Sequence, residues 1–326
     1  MSKKLDIIIP AYKAQETLMR TLSSIAMQTI ASDIKVTIIN DGDPLGSYKE
    51  IYDRFSGYLD IEEIILDTNV GPGAAKQHGL DCTNADYIMF LDADDTLVNA
   101  FVLQHMLHGI VTNKACEIYG DWYVEYENGE LETTAGKGMA INGGIYSRSF
   151  LNKYNIHFNN ARLHEDSFFA RYVEYYLQLY NLPALHFEEK VMIYHYTRDS
   201  ICKSIPDENY SIEVIKSWFN NMQELIAILD SRKERTYDLK LNCFVEMYMD
   251  YNYIYRTHKK QLNDLLALQR NFAKEVYCKL PSVEDCIEKW DIIGKNDAFV
   301  LIDSDIRTLV PPVISFEDYI NLLQGE

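Results

Sequence analysis

Short apolar runs alternate with amphipathic segments along the first hundred residues. Four short apolar runs are predicted to be strands, at residues 5–10, 35–40, 61–66 and 86–91, and the first of them a buried strand. The segments between them have the periodicity of helices that cover a sheet, at residues 15–28, 47–55 and 73–82. Nearly continuous apolar strands separated by helices are typical of a parallel sheet covered on both faces. We therefore predict an α/β fold with a mostly parallel sheet.

After residue 95 this alternation stops. The pattern then predicts a helix, a hairpin around Asn128-Gly129, a second helix and a strand, at residues 97–113, 116–134, 165–179 and 185–196. Three long helical patterns follow, at residues 208–230, 234–256 and 260–278. After them come a short helix and a strand-like run at residues 298–303. We predict an α/β domain over residues 1–204 and a mostly helical C-terminal domain over residues 205–326. The C-terminal helices are candidates for shaping the acceptor side or for contacts between copies of the chain.

Composition and charge restrict the partners. The chain has 326 residues, 47% of them hydrophobic, which is typical of a globular protein. Its formal charge is −18, from 31 lysine and arginine residues against 49 aspartate and glutamate residues. Such an acidic surface repels polyanions and disfavours nucleic acid as a partner. Any bound nucleotide would need a metal ion or a few well-placed cations.

Cysteine spacing and hydropathy suggest the compartment. No two of the six cysteines form a C-x-x-C pair, which favours free thiols over disulfides or a zinc site. The N-terminal apolar run is three isoleucines ended by Pro10, too short for a signal peptide. No stretch approaches the roughly 20 apolar residues of a membrane span. We expect a cytoplasmic protein without a transmembrane segment.

The strongest chemical feature is an acidic loop after the fourth predicted strand, with the sequence FLDADD. Asp92, Asp94 and Asp95 crowd together there, at the edge where open α/β sheets bind ligands. Clustered carboxylates repel one another, and Mg²⁺ or Mn²⁺ would relieve that repulsion while sharing its ligands with substrate phosphates. The alternative is a solvated turn, or an N-cap of the helix predicted to start near Leu97.

Two other enzyme classes share parts of this pattern. The D-x-D-x-T-L motif of haloacid-dehalogenase-like phosphatases matches residues 92–97, but in those enzymes it lies on the first strand of the core. Here three predicted strands precede it. A dinucleotide fingerprint is suggested by Gly71 and Gly73, but Lys76 occupies its third glycine position and the turn follows the third strand. Both interpretations are disfavoured.

Four segments occur together in order, and their combination is more specific than any one of them. They are IIIPAY at 7–12, IINDGD at 38–43, NVGPGAAKQHG at 69–79 and the D-x-D at 92–94. Over about residues 4–200 the chain resembles the family-two glycosyltransferases of the GT-A fold, which transfer sugars from nucleotide-diphospho-sugars. The chain has Asp43-Pro44 where that family often has serine.

The resemblance implies roles for individual side chains. Contacts with the donor nucleotide are implied for Pro10, Ala11, Tyr12, Asp41, Lys76 and Asp92. It also implies that Asp94 ligates Mn²⁺ or Mg²⁺, with Asp92 as a further ligand. For Asp41 and Asp43 the alternative is turn chemistry, because Asp-Gly sequences favour turns in any protein.

Two further segments carry candidate chemistry. Inverting sugar transfer needs a carboxylate that takes the proton of the acceptor hydroxyl. By resemblance Asp166 is that base and Glu165 its neighbour, although acidic residues at a helix start also serve as caps. In YHYTRDS at 194–200, His195 is a candidate metal ligand, and Arg198 and Ser200 are candidate contacts of the leaving diphosphate. An interior histidine is the alternative for His195.

We therefore predict an inverting, metal-dependent glycosyltransferase. The expected donor is a UDP-sugar, and the expected acceptor is a hydroxyl group of a glycan or cell-surface polymer. A modified nucleic-acid base is a less favoured acceptor because the chain is so acidic. The competing hypothesis is a catalytically degenerate protein that binds nucleotide-sugars or supports an active enzyme.

Overall fold

A computed structural model of the chain describes residues 3–134, 141–197, 207–295 and 312–325. The chain divides into two compact units, Met1–Ser204 and Ile205–Glu326. The first unit is built on one mixed sheet and the second consists of helices.

The N-terminal unit begins with the predicted alternation of strands and helices. Its elements are β1 (Leu5–Ala11), α1 (Leu18–Ala26), β2 (Ile34–Asn40), α2 (Lys49–Tyr52), β3 (Asp60–Ile65), α3 (Pro72–Cys82) and β4 (Tyr87–Phe90). The four strands are parallel, in the order β3-β2-β1-β4. Because all four run the same way, the acidic loops after β2 and β4 lie at one edge of the sheet.

Beyond β4 the sheet changes character. The elements are β5 (Thr96–Leu97), α4 (Val102–Thr112), β6 (Glu117–Glu125), β7 (Leu131–Thr134), β8 (Ile145–Ser147), α5 (Arg148–Tyr154), α6 (Glu165–Leu179) and β9 (Ala184–Tyr194). The sheet continues in the order β4-β8-β6-β9-β5, and β7 pairs with β6. The pair β6/β9 is parallel, whereas β4/β8, β6/β8, β6/β7 and β5/β9 are antiparallel.

The sheet is thus parallel through its first four strands and mixed beyond them. The sequence pattern predicted a mostly parallel sheet and did not show the antiparallel pairs beyond β4. The predicted hairpin is confirmed, with Gly129 in its turn at a φ of 80°. The helix expected from residue 97 begins instead at Val102, because Thr96 and Leu97 pair with β9. The strand β8 is three residues long and gives no readable period.

Helices cover both faces of the parallel part of the sheet. Successive side chains of a strand point to opposite faces, so a strand whose side chains are all buried needs cover on both. On one face Ile7 and Ile9 of β1 are fully buried with Leu22 of α1. On the other face α3 lies so close that a Cβ atom on Gly79 would come within 2.3 Å of a methyl group of Ile8. This tight packing fixes α3, which carries Lys76 toward the acidic edge.

The C-terminal unit contains α7 (Asp207–Ser231), α8 (Tyr237–Thr257), α9 (Leu262–Val276), α10 (Val283–Lys295) and α11 (Phe316–Gln324). A buried amide ties three of these helices together: Gln269 donates to the carbonyl of Met247 at 2.6 Å and accepts from the Tyr319 hydroxyl at 2.9 Å. The predicted strand-like run at 298–303 lies outside the described residues. In the part of the chain that the structure describes, no helix is long and apolar enough to cross a membrane.

Candidate active site

The candidate site lies at the carboxyl ends of the parallel strands, where the sheet order places β2, β1 and β4 side by side. Asp41 follows β2, and Asp92, Asp94 and Asp95 follow β4. The first turn of α6 supplies two more acidic side chains to the same region through contacts with α3.

The loop after β4 holds its carboxylates in different environments. The Asp92 Oδ2 atom accepts a hydrogen bond from Asn142 Nδ2 at 2.7 Å. The Asp94 Oδ2 atom accepts one from the Thr197 hydroxyl at 2.7 Å. The main-chain oxygen of Asp94 accepts two more from Arg20, at 2.7 and 3.1 Å. The loop is therefore fixed by residues distant in sequence.

Asp95 is the fully buried member of this loop. Its Oδ1 atom accepts from the main-chain N–H of His195 at 3.1 Å, and its Oδ2 atom has no hydrogen-bond partner among the described residues. Burial and the neighbouring charges of Asp92 and Asp94 raise the pKa of Asp95 well above its usual range. Burial, followed by the charge of Asp92, also raises the pKa of Asp94. The surroundings of Asp94 and Asp95 therefore disfavour the charged form of both carboxyls.

These residues fit a divalent ion that shares its ligands with a substrate. Within the described ranges, no three His, Cys, Asp or Glu side chains form a group that could hold a metal by themselves. Mg²⁺ and Mn²⁺, however, are commonly held by one or two carboxylates together with substrate phosphates and water. Asp94 and Asp92 provide two carboxylates whose repulsion such an ion would relieve.

Lys76 lies at the centre of a second charged group. It is 1% exposed, and its Nζ atom is 2.6 Å from Asp166 Oδ1, 3.0 Å from Glu165 Oε1 and 3.7 Å from Asp92 Oδ1. We call these four residues the Lys76 cluster. Burial disfavours the ammonium, but the three carboxylates outweigh it and hold the pKa of Lys76 well above its usual range. The ammonium thus faces three carboxylates, and the nucleotide contact implied by the resemblance stays a prediction.

Asp166 lies in the first turn of α6, which His164 precedes with a left-handed φ of 59°. Burial raises the pKa of the Asp166 carboxyl, and the charges of Glu165 and Asp92 add to this rise. Lys76 opposes them, and the pKa reaches about 7. A carboxylate with this pKa is suited to accept a proton near neutral pH, because an efficient general base titrates near its working pH.

Asp41 shapes the turn that leads into α3. Its Oδ1 atom accepts from the N–H of Val70 at 2.7 Å, and its Oδ2 atom accepts from the N–H of Gly71 at 3.0 Å. Gly71 has a φ of 94°, a conformation that side chains other than glycine rarely adopt. Asp41 therefore stabilises a turn, which was the alternative to a ligand role. The predicted contact of Asp41 with the nucleotide stays a prediction.

Asp43 organises the loop after β1. Its carboxylate accepts from the N–H of Lys13, the N–H of Leu45, the amide of Gln15 and the hydroxyl of Tyr48. Burial works against ionisation, but these hydrogen bonds lower the pKa of Asp43 below its usual value. The loop that follows Pro10 and Ala11 is thereby fixed, and Tyr12 is left 44% exposed at its start.

The end of β9 is fixed against the acidic loop by His195. Its Nδ1 atom lies 2.9 Å from Glu125 Oε2, and its Nε2 atom lies 2.8 Å from the Thr96 hydroxyl. Both ring nitrogens are thus within hydrogen-bond distance of other side chains, and the metal-ligand role of His195 stays a prediction. Arg198 and Ser200 lie outside the described residues.

Sequence reasoning missed the supporting residues of this site. They are Arg20, Glu125, Asn142 and Thr197, each of which contacts the acidic loop or His195 through a hydrogen bond. Asn142 directly precedes the Gly143-Gly144 pair, and this adjacency is the one signal that could have drawn attention to it. Thr197 lies in the 194–200 segment that was selected for its chemistry, but Thr197 itself was not selected. Arg20 and Glu125 lie in segments with the ordinary patterns of a helix and a strand.

A curled α/β sheet with a D-x-D loop at its ligand edge, followed by a helix that begins with two acids, defines a sugar-nucleotide transferase of the GT-A type. The chain belongs to glycosyl transferase family 2, whose family model matches residues 6–170. The predicted family, fold class and enzyme class are thereby confirmed. The phosphatase and dinucleotide-enzyme interpretations are set aside.

Individual relatives agree with this assignment. The chain is 28% identical over 289 residues to the teichoic acid poly(glycerol phosphate) polymerase of Staphylococcus epidermidis, a match that covers 80% of the chain and 39% of that protein. It is 23% identical over 255 residues to the GalNAc(5)-diNAcBac-PP-undecaprenol beta-1,3-glucosyltransferase of Campylobacter jejuni, covering 74% of the chain and 79% of the relative. The chain thus spans well under half of the staphylococcal polymerase.

Solved structures show the same fold. The crystal structure of residues 1–349 of S. aureus TarS in complex with UDP-GlcNAc matches with a TM-score of 0.59 and 16% sequence identity. The match covers 84% of the chain and 82% of the TarS fragment.

Proposed function

We propose that this chain transfers a sugar from a UDP-sugar to a hydroxyl group of a cell-surface polymer, with inversion at the anomeric carbon. The polymer acceptor is supported by the relatives, one named for teichoic acid and one for an undecaprenol-linked glycan. The UDP-sugar donor is supported by the TarS neighbour, which was crystallised with UDP-GlcNAc.

One observation carries the proposal. The acidic loop after β4 and the acidic start of α6 are more than 70 residues apart in the chain, yet Lys76 contacts both, at 3.7 Å from Asp92 and 2.6 Å from Asp166. A loop suited to a nucleoside diphosphate and a carboxylate suited to a base are therefore neighbours. Sugar transfer needs these two functions on either side of one anomeric carbon.

In the proposed reaction Asp166 takes the proton of the acceptor hydroxyl. The acceptor oxygen then forms a bond to the anomeric carbon while the bond from that carbon to the diphosphate oxygen breaks. The electron pair leaves with the diphosphate, and attack from the opposite side inverts the anomeric centre. Glu165 is proposed to help orient the sugar or the acceptor.

The donor nucleotide is proposed to lie along Pro10, Ala11, Tyr12, Asp41 and Asp92. Asp94, with Asp92, would hold Mn²⁺ or Mg²⁺, and the bound ion would neutralise charge on the leaving diphosphate. His195 is proposed to position the acidic loop through Thr96 and Glu125. Arg198 and Ser200 stay proposed contacts of the diphosphate on the strength of the resemblance.

The test is nucleoside diphosphate release by the purified chain, measured with a panel of UDP-, GDP- and CDP-sugars, Mn²⁺ and teichoic-acid or glycan acceptors. Asp166→Asn should lower turnover by about 10²–10⁴-fold, the usual contribution of general base catalysis. Glu174→Gln is the matched control, because it makes the same change on the same helix in a partly exposed ion pair with Arg171 at 2.9 Å. This control should keep wild-type turnover.

Two outcomes would contradict the proposal. A product that retains the anomeric configuration of the donor, read from its NMR coupling constants, would refute the inverting mechanism. UDP binding without turnover of any sugar nucleotide, in wild type as in Asp166→Asn, would favour the degenerate binding protein.

A further inference from the structure

The Lys76 cluster combines one buried ammonium with three carboxylates contributed by two other parts of the fold. Lys76 comes from α3, Asp92 from the loop after β4, and Glu165 and Asp166 from the first turn of α6. A charge removed from water must be compensated by close partners, or it is destabilising by several kcal/mol. The cluster therefore holds three elements in a fixed relation through one side chain.

The ammonium is engaged by the protein's own carboxylates. A lysine ammonium has three N–H groups. It donates hydrogen bonds to Asp166 Oδ1 at 2.6 Å and to Glu165 Oε1 at 3.0 Å, and Asp92 Oδ1 lies 3.7 Å away, at ion-pair distance. With 1% of its side chain exposed, Lys76 is enclosed by the protein's own acids.

The hydrogen bond to Asp166 is selective between its two oxygens. Lys76 donates to Oδ1, and this is the hydrogen bond that the described residues make to the Asp166 carboxylate. The Asp166 side chain is 23% exposed. Lys76 thus holds one oxygen of a partly exposed carboxylate, and a hydrogen bond of this kind fixes the orientation of a reacting group.

The helix that carries Lys76 is a rigid support. It starts at the Gly71-Pro72 turn fixed by Asp41, and Gly79 packs against Ile8 of the central strand. A displacement of the ammonium would therefore require movement of the helix against the sheet.

We propose that Lys76 is a positioning residue, which fixes the Asp166 carboxylate for proton transfer and ties it to the donor-side loop through Asp92. This inference rests on the proposed function, in which Asp166 is the base. It differs from a role in donor binding, because it places the contribution of Lys76 in the chemical step.

The experiment compares Lys76→Met, Lys76→Arg, Asp166→Asn and the double variant Lys76→Met/Asp166→Asn. Lys35→Met is the control, since Lys35 is a partly buried lysine in an ion pair, 2.8 Å from Glu62 on the neighbouring strand. The measurements are kcat and the donor KM at saturating acceptor, the UDP affinity by calorimetry and the melting temperature.

We expect Lys76→Met to lower kcat by about 10–100-fold, a part of the full contribution of a general base, with donor KM and UDP affinity unchanged. Lys76→Arg should restore part of kcat because it keeps a buried cation with several N–H donors. In the double variant the Lys76 change should add little to the loss caused by Asp166→Asn, since residues that act as a unit are not additive. Lys35→Met should keep wild-type kcat.

The inference would be overturned by a Lys76→Met variant that binds UDP weakly while kcat is unchanged, or by losses that multiply in the double variant. Either result would show that Lys76 acts independently of Asp166. If Lys76 had only a structural role, Lys76→Met would lower the melting temperature and the fraction of active protein. Lys76→Arg would then not restore kcat in the folded protein. Failure of the proposed function can be told apart from failure of this inference. In that case the wild-type protein itself would show no sugar transfer.

Discussion

Gly73 is the point at which α3 touches the segment that leads to the proposed base. A Cβ atom at this position would lie 2.4 Å from the carbonyl oxygen of Asn159, 2.9 Å from that of Ala161 and 3.0 Å from Cβ of Glu165. The first two atoms belong to the main chain, which cannot rotate away as a side chain could. Gly73→Ala must therefore push the 159–165 segment away from α3, or bend α3 itself.

The size of the effect follows from these distances. Ordinary van der Waals contact begins at 3.4 Å, so the carbonyl oxygen of Asn159 must move by about 1 Å. Overpacking of this kind typically costs about 1–3 kcal/mol, and the better helix propensity of alanine offsets up to about 1 kcal/mol of it. A misplacement of about 1 Å in a reacting group can cost about 10²-fold in rate. Gly73→Ala should thus reduce activity far more than it reduces stability.

The assay is steady-state diphosphate release at saturating donor, with thermal melting of the same sample. We expect turnover about 10²-fold below wild type in a protein that still melts cooperatively within several degrees of wild type. Gly57→Ala is the matched control, because no atom lies within 4 Å of its added methyl group and its φ is not left-handed. Wild-type turnover in a stably folded Gly73→Ala protein would refute the argument that this contact sets the position of the base.

Three further predictions concern charge and metal. Because Asp166 must be ionised to accept a proton and its pKa is raised to about 7, turnover should increase as the pH rises through about 7, and a flat pH profile from 5 to 9 would contradict this. A chelator should abolish turnover and added Mn²⁺ or Mg²⁺ restore it, and Asp94→Asn should weaken the Mn²⁺ dependence measured by titration. Glu125→Gln removes a charged acceptor from His195 and Tyr196, so it should loosen the acidic loop and lower kcat about tenfold. An unchanged kcat would exclude this supporting role of Glu125.

The sequence was sufficient for features that depend on neighbours in the chain. The apolar runs at β1, β2 and β4 predicted a parallel sheet, because strands with two buried faces are apolar throughout and need crossover helices between them. The third strand, β3, is exposed or half-buried along its length. The parallel direction in turn brought the acids after β2 and β4 to one edge, and the ordered motifs from Pro10 to Asp94 identified the family. Asp166 was predicted as the base through the family resemblance, and that role stays a prediction.

Tertiary structure decided which charges meet. Lys76 and Asp166 are separated by 90 positions, and no local pattern shows that the lysine side chain ends among carboxylates. The same holds for His195, whose ring partners Thr96 and Glu125 arrive from other strands. The mixed order of the strands beyond β4 was also hidden, because short strands carry little periodicity. Contacts between residues so far apart in sequence depend on how all the helices and strands pack together. They are a property of the tertiary structure and not of any one segment.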